Sequence, residues 1–64
     1  MIKNYIIDSE IYQKNAIDQA IIDFQDVADF EFKNNEISVT WDNEEEIETL
    51  FWEFMNYVIW IINL

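Results

Sequence analysis

A chain of 64 residues with 52% apolar and 17% aromatic side chains holds one small core and no second domain, and is too apolar for a disordered acidic tail. Fourteen acids against Lys3, Lys14 and Lys33 leave a net charge of −11, which repels phosphate backbones and anionic lipid headgroups and argues against nucleic-acid or membrane partners. With no Cys and no His, disulfides and the common structural metal sites are closed, so a core worth roughly 3–5 kcal/mol must hold the fold, aided by oligomerisation or a partner.

The N-terminal run Ile2, Tyr5, Ile6, Ile7 is broken by Lys3 and stopped by Asp8, too short for a signal-peptide core; an untargeted, cytoplasmic chain is expected. The stretch from Tyr5 or earlier to Ile7 is the first strand candidate. Ser9 or Asp8 then caps a helix whose inner face recurs at Ile11 or Tyr12, Ala16, Ala20, Ile21, Phe24 and Val27 or Ala28. The small Ala16 and Ala20 allow this helix to lie close on a sheet.

No Gly or Pro punctuates the chain, so turns fall on Asn and Asp. Asn34-Asn35 separates Phe30 to Lys33 from Glu36 to Trp41, two segments alternating with period two. A two-residue type I′ turn sets Lys33 against Glu36, Phe32 against Ile37, Glu31 against Ser38 and Phe30 against Val39. Phe30, Phe32, Ile37, Val39 and Trp41 then share one face, and a one-residue slip would bury charge.

Asp42 or Asn43 caps a second helix opening on Glu44, Glu45 and Glu46, with Glu48 just beyond, where acids complement the positive end of the helix dipole. It runs to the C-terminus. The order is β-α-β-β-α in a single α+β domain: a small antiparallel or mixed three-stranded sheet with two helices packed on one face. A crossover from the first to the second strand leaves the third between them, antiparallel to both.

From Phe51 to Leu64 only Glu53, Asn56 and Asn63 are clearly polar. Ile47, Leu50 or Phe51, Phe54, Val58 and Ile61 or Ile62 suffice to cover the sheet. Trp52, Met55, Ile59 and Trp60 fall largely off that stripe, next to or beyond it, and are the candidate partner-binding residues. Tight wrapping of helices around the sheet, or a symmetric homodimer burying the patch against itself, are the alternatives.

No catalytic residue, cofactor site or metal site emerges. The fourteen carboxylates contain no pair distinct from a solvated background, no Gly-rich loop cradles phosphate, and Glu44-Glu45-Glu46-x-Glu48 lacks the ligand alternation of a calcium loop.

Ile7-Asp8-x-x-Ile11-Tyr12-x-x-x-Ala16-Ile17-x-x-Ala20, then Asp23-Phe24, the hairpin, and Glu53-Phe54-x-Asn56-Tyr57-Val58 together resemble the HxsD family over most of the chain. That family comprises small accessory proteins of His-Xaa-Ser peptide-maturation systems, encoded beside radical SAM enzymes that modify a ribosomally made peptide. The resemblance implies a radical SAM enzyme or a precursor peptide as partner. Where the family has a charged ending with Arg, this chain reads Trp60-Ile61-Ile62-Asn63-Leu64, a more apolar docking face. An acidic inhibitor mimicking nucleic acid is the competing function, suggested by the charge and size.

Overall fold

The computed structural model describes residues 1–8 and 10–64. Its elements are β1 (Ile2–Ile6), α1 (Lys14–Phe24), β2 (Asp29–Lys33), β3 (Glu36–Thr40) and α2 (Ile47–Ile62), with sheet order β1-β3-β2. The α+β architecture and the β-α-β-β-α order expected from the sequence are those observed, and β3 runs antiparallel to both neighbours.

The hairpin follows from its two asparagines. Asn34 and Asn35 take φ of 53° and 62°, the paired left-handed geometry that a type I′ turn requires and that Asn tolerates better than other non-glycine residues. Lys33 then faces Glu36 and Phe30 faces Val39, in the expected register. On the other side of β3, Lys3 faces Val39 and Tyr5 faces Ile37.

One face of the sheet carries the core residues Phe30, Ile37 and Val39. α1 adds Ala16, Ile17 and Ala20, and α2 adds Ile47, Leu50, Phe51, Phe54, Met55 and Val58. The alanines bring the α1 backbone close to β2, whereas α2 stands further off the strands. Aromatic rings fill that wider gap: Phe30 stacks on Phe54 with centroids 4.2 Å apart, and Tyr5 on Phe51 at 3.8 Å.

Both helices begin later than the sequence suggests. Asp8 closes a turn: its carboxylate accepts the Glu10 N–H at 2.8 Å, and its carbonyl accepts the N–H groups of Ile11 and Tyr12. Gln13, with ψ 131°, is extended and separates that turn from α1. Ser9, the other expected cap, lies outside the described residues. Asn43 likewise closes a turn, accepting the Glu46 N–H at its side chain, so Glu44, Glu45 and Glu46 precede α2 and only Glu48 sits in its first turn. Short polar side chains close local turns as readily as they cap helices, which is why the two outcomes share a sequence pattern.

Candidate functional site

α2 presents both a buried and an exposed apolar side. Its buried side chains follow i, i+3, i+4 spacing through Ile47, Leu50, Phe51, Phe54, Met55 and Val58, an arc wide enough to cover both the sheet and α1. Met55 belongs to this arc, four residues after Phe51, and is only 4% exposed. The expectation that it lies off the buried stripe is therefore corrected: one residue per turn is too narrow a face for a helix packed on two elements.

Trp52, Ile59 and Trp60 stay in the open, at 64%, 41% and 57% exposure. They do not form one cluster. At about 100° per residue, Trp52 and Ile59 point in nearly the same direction, while Trp60 is turned roughly 80–100° away. Trp60 stacks on Tyr57, ring centroids 5.7 Å apart, and Tyr57 in turn reaches α1 through Phe24 and Asp23.

Trp52 and Ile59 instead border a groove of about 400 Å³ between α2, the end of β1 and the turn after it, where Phe51, Met55 and Asn56 meet Tyr5, Ile6, Ile7, Asp8, Ile11 and Tyr12. Ile6 is 84% exposed and Ile11 is exposed as well. Neither was singled out from the sequence as a surface residue. The signal was present in Tyr5-Ile6-Ile7: three consecutive apolar residues in a strand cannot all face one side, so one must point outward.

The groove is walled mostly by apolar side chains, with Asp8 and Asn56 also in its lining. The Tyr5 hydroxyl is enclosed without a hydrogen-bond partner among the described residues, although the Tyr5 ring itself is half-buried. The Tyr57 pKa is raised, chiefly because its hydroxyl donates to the Asp23 carboxylate; this group ties the helices together and lies away from the groove.

Among the described residues no three carboxylates converge as metal ligands, and Glu48 pairs with Lys3 at 3.2 Å. No helix among them is long and apolar enough to cross a membrane. Compared with known proteins, the chain matches no family model, no curated protein and no solved structure.

Proposed function

We propose that this chain is a non-catalytic binding domain that docks a radical SAM enzyme of a ribosomal-peptide maturation system, or that enzyme's precursor peptide, through the exposed side of α2. The observation that carries the reading is the exposure of Trp52 and Ile59, two turns apart on the same side of α2, both bordering an apolar groove, because large solvated aromatic and aliphatic groups beside a concave surface are the usual anchors of protein contacts. The resemblance of the helix segments to the HxsD family supports the class of partner. The net charge of −11 adds a field that favours a cationic counterpart.

Co-expression with the radical SAM enzyme and precursor encoded nearest to this gene, followed by size-exclusion chromatography, tests the reading. A stable complex weakened by about 30-fold or more on Trp52→Ala is expected, the scale of a binding hot spot. Unchanged affinity in Trp52→Ala and Ile59→Ala would remove the α2 surface from consideration.

A further inference from the structure

The two edges of the sheet are unequal. On β2 the outward side chains are Asp29, Glu31 and Lys33, all exposed and charged, the usual protection against a further strand. On β1 the outward positions are Ile2, Asn4 and Ile6, with the isoleucines 63% and 84% exposed. Lys3 points to the helix side and is held by Glu48, so it guards only the first half of β1. Beyond Asn4, the end of β1 and the residues after it, Tyr5 to Asp8, line the groove that Trp52 borders.

Among the described residues, the Asn4 and Ile6 backbone groups also have no partner beyond the sheet. The Ile7 N–H donates to the Asn35 carbonyl at 2.8 Å, and the Trp41 N–H donates to the Met1 carbonyl at 3.0 Å. Antiparallel ladders alternate, so odd-numbered residues of β1 direct their N–H and C=O groups to β3, and Ile2, Asn4 and Ile6 direct theirs to the open side.

We infer that the β1 edge accepts an extended peptide as a fourth strand, one carrying Lys or Arg on alternate positions with apolar residues between them. This deepens the binding-domain reading and rests on it. Backbone pairing with Asn4 and Ile6 supplies registration, and the apolar side chains of the added strand enter the groove beside Tyr5, Phe51 and Trp52. Its other side chains lie over the open face of the sheet, where Asp29, Glu31 and Glu36 outnumber Lys33. Glu36 is paired with Ile6. With strands spaced about 4.8 Å apart, Glu36 is roughly 10 Å from the added strand, close enough for an extended cationic side chain to approach it. Charge selects the occupant: a second copy would bring −11 against −11, whereas a cationic strand is attracted.

The test uses the full chain and a synthetic decapeptide alternating lysine and valine, with a block-ordered peptide of the same composition as control. Amide hydrogen exchange followed by NMR is expected to slow at least tenfold at Asn4 and Ile6 with the alternating peptide, leaving Phe30 and Phe32 on the other edge unchanged. Ile6→Pro deletes an outward N–H without removing a ladder bond to β3, and is expected to abolish the protection at Asn4. The exchange pattern of the unaltered chain decides the matter even if that variant fails to fold. Binding without protection at Asn4 and Ile6, equal protection by the control, or protection in the absence of peptide together with a dimeric mass would each overturn the proposal. Should the edge amides stay unprotected while the enzyme complex forms through α2, the edge proposal falls alone; protection by peptide without any enzyme complex removes the proposed enzyme docking instead.

Discussion

The Tyr57 hydroxyl on α2 donates a hydrogen bond to the Asp23 carboxylate near the end of α1, joining the two helices at the rim of the core. That bond, then desolvation, then the negative charge of Asp23 raise the Tyr57 pKa above its usual 10.0. A raised folded-state pKa means that the contact stabilises fully below the unfolded value and is lost as pH climbs through the folded one. Thermal melts should therefore show a steeper loss of stability above about pH 10 in the parent chain than in Tyr57→Phe. Identical alkaline slopes would show that the bond contributes nothing in solution.

Phe54 is expected to be the least replaceable side chain. It is fully buried, stacked on Phe30 and edge-on to Phe24 at 5.5 Å. Truncating such a ring costs about 3–5 kcal/mol, which equals the whole stability roughly expected of a core this small. Phe54→Ala should be largely unfolded by circular dichroism at room temperature. Trp60→Ala, on an exposed part of the same helix, should shift the urea unfolding free energy by only about 0.5 kcal/mol.

How much of this could be read from the residues differs by element. The hairpin was legible to the register, because alternation and two adjacent asparagines leave a single pairing that buries Phe30 against Val39 without burying charge. Strand order followed from the crossover argument. The helix starts were not, since Asp8 and Asn43 can close a turn or cap a helix and only tertiary geometry chooses. The division of the α2 surface was half legible: Trp52, Ile59 and Trp60 are exposed, but Met55 is in the core and Trp60 faces away from the groove that Trp52 borders. Ile17, fully buried, was passed over because Ala16 and Ala20 already satisfied a helical stripe. The β1 wall of the groove was missed because a short apolar run gives no phase by itself.

The Lys3–Glu48 pair, at 3.2 Å with side chains 38% and 66% exposed, links β1 to the first turn of α2. Solvent screens such a pair, so a double-mutant cycle with Lys3→Met and Glu48→Gln should return a coupling of at most about 1 kcal/mol. High salt should reduce it further, read as converging urea midpoints for the parent and single variants. A coupling that is large and insensitive to salt would indicate that the pair also orders the N-terminal half of β1.

The turn offers a gain in stability. Asn35 holds φ at 62°, a region where a side chain crowds the following carbonyl and glycine does not. In the second position of a type I′ turn, Asn-Gly is the preferred pair. Asn35→Gly should therefore stabilise the chain by about 0.5 kcal/mol, because relief of steric crowding in the folded turn exceeds the added freedom of the unfolded chain. Asn35→Val should cost about 1–2 kcal/mol. Both changes should move the urea midpoint while leaving the slope of the transition alone, since neither alters the surface exposed on unfolding. A destabilised Asn35→Gly variant would show that the added freedom of the unfolded chain outweighs the relief of crowding in the folded turn.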